Sequence, residues 1–295
     1  MSVASSFKSA TGDGWDFPTI KDRFLSYMDP FFIYRVALYT LLEVIFETLR
    51  SDPRALLSFS SVRDDAFGKT WLKISGNDPR DGPLFDFAPL LGSATGVVLE
   101  VGPGSGVQVK SLTSSRIKAV YGAEPCELLH EHLKAAASNA GLAAKYHVLD
   151  CGGQRKSLIP QLQRAGLLGS NSGPVFDTII CSKVLCSIPD LEDTVACLYD
   201  LLKPGGRMLV LEHVKNPWRT RKGDLVSRMI QILIMLLGWT FVMGGCHLNR
   251  ETSRVLKSVA CKDGGWQKED LEAKLTFSTI PWVMGELVKK SIEGH

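Results

Sequence analysis

The chain has 295 residues, long enough for one α/β domain of about 200 residues with an extension, or for two smaller domains. Hydrophobic residues make up 45% and charged residues 22%, a globular composition that excludes disordered, collagenous and low-complexity chains. Lysine and arginine outnumber aspartate and glutamate by 34 to 31, too weak a field to argue for nucleic acid, so a small-molecule site is the better expectation.

Residues 1–30 carry Asp13, Asp16 and Asp22 and lack an early apolar core, so a cleaved signal peptide is not expected. A helical pattern runs over 29–50 and closes at Asp52-Pro53, and a second helix is expected over 54–75. Segment 31–49 approaches the length of a bilayer span, but Arg35, Glu43 and Glu47 interrupt it. It reads as a core or lid helix, with a helix lying in a membrane interface as the alternative. The stretch 76–83 is dense in turn formers and marks the expected boundary between a helical N-terminal extension, 1–82, and the main domain, 83–295.

Beyond that boundary, strand-like runs at 97–101, 119–124, 145–150, 178–182 and 207–214 alternate with helical patterns at 106–115, 126–140, 157–165 and 191–202. The alternation predicts an α/β, Rossmann-like fold with a parallel sheet covered on both faces. The apolar run 229–241 is too short to span a membrane. Lys215, Arg219, Arg221, Lys222 and Arg228 precede it, opposed only by Asp224. It reads as the roof of an apolar pocket lined by Ile232, Met235, Leu236, Trp239 and Phe241; a membrane-surface helix with a basic collar is the alternative.

The seven cysteines, Cys126, Cys151, Cys181, Cys186, Cys197, Cys246 and Cys261, are an odd number with no C-x-x-C pair. They read as reduced thiols, mostly small core residues, in a cytosol-facing chain; no metal site is expected, and no N-x-[ST] acceptor occurs.

The chemistry concentrates where the run 97–101 meets three alternating glycines, Gly102, Gly104 and Gly106, just after Glu100. Such a turn lets the backbone pass close to a ligand ahead of a helix N-terminus. A dinucleotide fingerprint needs its third glycine one residue later, and Glu100 would repel a pyrophosphate. This argues against a nicotinamide oxidoreductase and for a ligand without a diphosphate, to which a positive charge would suit the carboxylate. Glu124 closes the second run, where a carboxylate can chelate vicinal ribose hydroxyls, and Asp150 closes the third, where one can accept from an adenine amino group. The series Glu100, Glu124, Asp150 reads as a nucleoside-binding set.

The strings E-V-G-P-G-S-G, Y-G-A-E-P, L-D-C, F-D-T-I-I-C and L-K-P-G-G-R-M-L-V-L-E-H occur in that order over about 95–215. In this the chain resembles the class I S-adenosylmethionine-dependent methyltransferases. The resemblance implies a seven-stranded sheet, mostly parallel, with an antiparallel C-terminal hairpin at 266–275 and 281–289, and S-adenosyl-L-methionine as cofactor. It also implies that Gly102, Gly104 and Gly106 pass the methionine moiety, that Glu124, followed by Pro125, holds the ribose, that Asp150 and Cys151 flank the adenine, and that Cys181 and Ser182, after the fourth strand, border the sulfonium.

The strings C-S-K-V-L-C-S-I, L-E-H-V, G-C-H-L-N-R-E-T and P-W-V-M-G-E-L-V-K-K are similar to the methyltransferase-like group that contains membrane-associated alkyl-thiol methyltransferases. Fungal small-molecule methyltransferases of secondary metabolism look similar too. The expected function is O- or S-methylation of a small, apolar organic acceptor in fungal-type secondary metabolism. Thiol detoxification, and a cofactor-binding protein of the same fold that does not methylate, are the alternatives. His213 and His247 are the candidate catalytic bases; otherwise each only hydrogen-bonds its neighbours. The expected location is cytoplasmic, with peripheral contact to the cytosolic face of an internal membrane as a variant.

Overall fold

The computed structural model describes residues 18–75, 83–169 and 173–291. Most of the turn-rich boundary stretch, 76–82, lies outside them, as do Asp13 and Asp16. In chain order the elements are α1 (Ile20–Ser51), a 3-10 turn (Pro53–Ser58), α2 (Phe59–Ser75), α3 (Pro83–Gly92), β1 (Gly96–Val101), a second 3-10 turn (Val109–Ser111), β2 (Ile117–Ala123), α4 (Glu127–Asn139) and β3 (Tyr146–Leu149). Then come α5 (Arg155–Arg164), β4 (Phe176–Ser182), α6 (Leu191–Leu201), β5 (Leu202–His213), α7 (Leu225–Leu236), α8 (Trp239–Val242), α9 (Thr252–Ser258), a 3-10 turn (Val259–Asp263), β6 (Lys268–Lys274) and β7 (Trp282–Val288). The chain forms two compact units. One gathers Met1–Gly82, Val214–Arg250 and Lys274–Pro281; the other gathers Pro83–His213, Glu251–Ala273 and Trp282–His295.

The second unit holds a seven-stranded sheet in the order β3-β2-β1-β4-β5-β7-β6. The first five strands pair in parallel, and β7 runs antiparallel to β5 from Arg207 opposite Val288 to His213 opposite Trp282. This is the expected mostly parallel sheet with its C-terminal pair. The order steps outward from β1 to β3 and resumes at β4 on the other side of β1. The carboxyl ends of β1 and β4 therefore flank the switch point where α/β sheets bind ligands. The strands read as continuous apolar runs because both faces are covered: α3, α4 and the 109–111 turn pack together, and α5 meets α6, which meets α9. Val98, Val120, Ile180 and Leu209 are fully buried in that core, each contributing about 1.5–3 kcal/mol of burial.

Several expectations are corrected. No α-helix forms over 106–115. Val109, Ser111 and Leu112 donate three residues back, to Gly106, Gln108 and Val109, and the backbone leaves helical geometry at Leu112. The glycine turn therefore precedes a short 3-10 turn rather than a helix N-terminus. The helix expected to begin at 29 begins at Ile20, because Thr19 and Asp22 form a capping box; Pro30 sits inside it. The single helix expected over 54–75 is a 3-10 turn followed by α2. The run 229–241 is broken: α7 starts at Leu225, capped by Asp224, and Gly238 at φ +91° separates it from α8. Cys181 and Ser182 belong to β4 rather than following it, since both pair with β5.

The first unit is helical and inverted in pattern. α7 buries Ser227, Gln231 and Ile234 while Leu225, Val226, Met229, Ile232, Leu233 and Leu236 are exposed. The buried polar groups are bonded: Gln231 Nε2 donates to the carbonyls of Val214, Leu248 and Thr279, and its Oε1 accepts from Asn216 N at 3.0 Å. Asn216 in turn donates to Thr276 O and Ser278 O at 2.9 and 2.7 Å, and Ser227 Oγ to Phe277 O at 2.7 Å. Of the residues expected to line a pocket, Ile232, Leu236 and Phe241 are exposed, Met235 is half-buried, and Trp239 is buried and donates to Cys246 Sγ. No helix among the described residues is long and apolar enough to cross a membrane.

Candidate functional site

The glycine turn leaves β1 at the switch point. Gly102, Gly104 and Gly106 have φ of +60°, +61° and +79°, the left-handed region that side chains resist. At two of them space is also closed: a Cβ on Gly102 would lie 2.5 Å from Val184 Cγ2, and one on Gly106 2.8 Å from Ala136 Cβ. The turn is thus wedged between the loop after β4 and α4.

Glu124, immediately after β2, is buried and tied to this turn: its Oε2 accepts from Gly104 N at 2.8 Å and its Oε1 from Cys126 N at 2.9 Å. Burial raises its pKa although these amides oppose the shift. His130 Nε2 lies 2.8 Å from the Glu124 main-chain carbonyl and steadies the same bend.

Glu100, in β1, is 2% exposed and accepts from Tyr146 Oη at 2.6 Å. Burial pushes its pKa up to about 7, with the Tyr146 bond pulling down and the Glu124 charge pushing up. Tyr146 stands on β3, two strands away, and crosses β2 above Gly122, where a Cβ would lie 2.6 Å from its hydroxyl. Sequence reading missed Tyr146. The available signal was the cost of burying a carboxylate without a donor, together with a glycine inside the intervening strand.

Neither Glu100 nor Glu124 pairs with a lysine or arginine among the described residues. Two buried acids without a lysine or arginine partner among the described residues are costly, and a positively charged ligand would offset that cost. The residues therefore fit a sulfonium-bearing nucleoside. Asp150 is exposed just after β3, with its carbonyl accepting from Gln161 Nε2 at 2.9 Å. Cys151 beside it is buried, its thiol pushed up to about 12 by burial and then by Asp150. Pro125 is exposed, Cys181 is fully buried within β4, and Ser182 Oγ is buried without a partner among the described residues. The Cys181 thiol is held well above its ordinary pKa by burial.

A second group gathers where β4 and β5 end. Glu212, fully buried, accepts on Oε1 from Val184 N and Leu185 N, both at 2.9 Å, and so holds the loop that follows β4. Its pKa is raised by burial. Lys183 opens that loop at φ +57°; burial pulls its ammonium down to about 8 against the opposing Glu212 charge. His213 is buried next in the strand, edge-on to Trp282, with the Cys186 sulfur within 4.8 Å of a ring nitrogen. Burial would keep this imidazole neutral, but the Cys186 sulfur and Glu212 outweigh it and its pKa is raised. Glu212 and Lys183 were not anticipated: each matters through a contact made far along the chain. His247 belongs to the helical unit, is half-buried, and has its pKa lowered by burial and by Arg250.

Comparison with known proteins agrees with this geometry. A family described as a methyltransferase domain matches residues 76–264. Among curated proteins the chain is similar to a thiol S-methyltransferase, TMT1B, of Rattus norvegicus, 28% identical over 116 residues, which cover 39% of this chain and 44% of the relative. It is also similar to the lovastatin nonaketide synthase mokA of Monascus pilosus, 58% identical over 38 residues, 13% of this chain and 1% of that one. The matched segment thus spans less than half the length of either relative. Among solved structures, an O-methyltransferase family protein from Burkholderia thailandensis superposes with a TM-score of 0.53 at 13% identity, covering 97% of this chain and 77% of that one. An O-methyltransferase family 2 protein from Planctomyces limnophilus, solved in complex with apigenin, gives 0.52 at 16% identity, covering 83% and 65%. By family and by fold, the chain belongs to the methyltransferase-domain family of class I, S-adenosyl-L-methionine-dependent enzymes.

Proposed function

We propose that the chain methylates the oxygen or sulfur of a small, apolar organic acceptor. The observation that carries this reading is the pair of buried carboxylates, Glu100 and Glu124, at a glycine turn, neither of them paired with a lysine or arginine among the described residues. The bound cofactor supplies an electrophilic methyl on a positively charged sulfur. In our assignment Gly102, Gly104 and Gly106 pass its methionine moiety, and Glu124 takes the ribose on the lone pairs its two amide bonds leave free. Asp150 and Cys151 flank the adenine beside Pro125, and Cys181 and Ser182 border the sulfonium.

When bound, the cofactor would supply its methyl to the acceptor's lone pair by in-line displacement, its own sulfur being the leaving group. The protein's work is to hold acceptor and methyl at about 3–3.5 Å and to exclude water. We assign His213 as the group that takes the acceptor's proton. A thiol near pKa 8.5 ionises appreciably by itself, whereas a phenol near 10 gains more from such a base. The thiol S-methyltransferase relatives support the sulfur acceptor and the O-methyltransferase neighbours the oxygen one. The short matches to polyketide synthases support a place in secondary metabolism.

Product analysis of the wild-type chain, His213→Ala and His247→Ala, offered an alkyl thiol or a phenol from about pH 6 to 9, tests the proposal. Methylated phenol lost with His213→Ala and kept with His247→Ala supports an oxygen acceptor with His213 as base. Thiol turnover that follows the thiolate fraction in all three supports the sulfur acceptor. No methylated product despite cofactor binding would replace the proposal with a cofactor-binding protein that does not methylate.

A further inference from the structure

We infer that the outer faces of α1 and α7 form a docking surface for an anionic lipid bilayer, with both helices lying in the plane of that surface. The first support is their inverted pattern. A helix on a water-soluble protein turns its apolar stripe inward, yet α7 directs Leu225, Met229, Leu233 and Leu236 outward and buries Ser227 and Gln231, with Ile234 alone of its large apolar residues fully buried. The buried residues of α1 are Ser26, Pro30, Ala37, Thr40, Leu41 and Val44, small or polar for the most part. Its outer positions carry Phe24, Met28, Phe32, Leu42, Phe46 and Leu49, all exposed and recurring at helical spacing. An arrangement this consistent over two helices in contact with each other, joined by Tyr34 Oη to Leu237 O at 2.6 Å, implies a neighbour less polar than water.

Charge selects the neighbour. Lys21, Arg35 and Arg50 share the exposed side of α1, with Arg35 and Arg50 over the rings of Phe32 and Phe46. Of its acids, Glu43 and Glu47 turn to α2 and pair with Lys73 and Lys69, each at 2.6 Å, Asp22 caps the helix start with Thr19, and Asp29 is half-buried. Ahead of α7, Trp218, Arg219, Arg221 and Lys222 are all exposed, an amphipathic ring and three cations beside the apolar face. Apolar side chains bordered by cations and by tryptophan match the interface of a membrane rich in acidic lipids. A second copy docking through the same faces would bring these cations together. Neither helix is long and apolar enough to cross a bilayer.

The inference is independent of the acceptor reading, since it concerns the helical unit alone. Flotation of the full chain with vesicles of phosphatidylcholine, or of phosphatidylcholine with about one-third phosphatidylserine, tests it. The expected result is recovery with the phosphatidylserine vesicles, weaker recovery with phosphatidylcholine alone, and loss of the difference at high salt. Arg219→Glu with Arg221→Glu lowers recovery on acidic vesicles by about fivefold or more per cation. Phe32→Glu with Leu233→Glu lowers it on both. Unchanged thermal stability and cofactor affinity in these exposed variants show that they fold. Recovery in the soluble fraction with both vesicle types, or variants that float as well as the wild type, would overturn the inference. So would concentration-dependent self-association abolished by Phe32→Glu with Leu233→Glu, which would assign the face to a second copy.

Discussion

Tyr146 reaches across a whole strand to donate its hydroxyl to Glu100 Oε2 at 2.6 Å, and Gly122 leaves it the room to do so. The bond favours the ionised form of a carboxylate that burial pushes up to about 7. Tyr146→Phe removes that help, so Glu100 stays protonated to higher pH. The affinity for S-adenosylmethionine, which carries the sulfonium charge, falls about tenfold near pH 7 and recovers toward pH 9. Affinity for uncharged-sulfur S-adenosylhomocysteine changes less. Gly122→Ala, which pushes the phenol away, gives the same asymmetry. Titration calorimetry of both ligands across pH checks it; equal losses for the two ligands at every pH would mean that Tyr146 is only packing.

The same carboxylate fixes the sign of a stability profile. Its folded pKa, about 7, lies above its ordinary 4.5, so the folded chain keeps a proton that the unfolded chain has released. Stability of the cofactor-free protein is therefore full below about pH 4.5 as far as this group is concerned, and is lost as pH rises toward 7, by up to about 3 kcal/mol. Glu100→Gln removes this decline and raises the melting temperature at pH 8 while weakening cofactor binding. Thermal melts at pH 5, 6, 7 and 8, compared between the two proteins, read the effect.

Glu212 holds the loop after β4 through two amides on one oxygen. Glu212→Ala strands both N–H groups in a buried site and costs about 2–5 kcal/mol, whereas Glu212→Gln keeps an acceptor and costs less than half of that. The loss of charge beside His213 also lowers the pKa of that imidazole. Denaturant unfolding separates the two variants, and the acid limb of any His213-dependent rate shifts to lower pH in Glu212→Gln.

Gly106 and Gly141 both have positive φ, at +79° and +72°, but only Gly106 is enclosed. Gly141→Ala therefore costs the backbone term alone, about 1 kcal/mol. Gly106→Ala adds a clash with Ala136 and Leu133 of α4, for about 2–4 kcal/mol in all, and weakens the cofactor. Equal destabilisation of the two would contradict the wedged geometry of the turn.

The sheet was legible because its signals are local. Apolar runs, an acid at or just after the carboxyl end of β1, β2 and β3, and an alternating-glycine turn each occupy a few consecutive residues. What escaped depends on partners far along the chain: Tyr146 acts on Glu100 across 46 positions and Glu212 on Leu185 across 27. In place of the helix expected after the turn, bonds three residues back at 109–112 form a short 3-10 turn, which ends at Leu112 before β2 begins at Ile117. α3 escaped because Pro83 closes a stretch that reads as turn formers, although a proline also fits a helix start. α7 carries the plainest warning about pattern. Its apolar residues mark a helix correctly, yet most of them lie on the face opposite the core, to which Ser227, Gln231 and Ile234 turn.

The most direct test of the central claim is to follow the methyl group itself, using S-adenosylmethionine labelled at that carbon, the purified chain, and the thiol and phenol acceptors. The account predicts label in the acceptor's new S–CH3 or O–CH3 group, matched one for one by S-adenosylhomocysteine, with both products suppressed in Glu124→Ala through weakened cofactor binding. Tight cofactor binding with no label in any acceptor would contradict it.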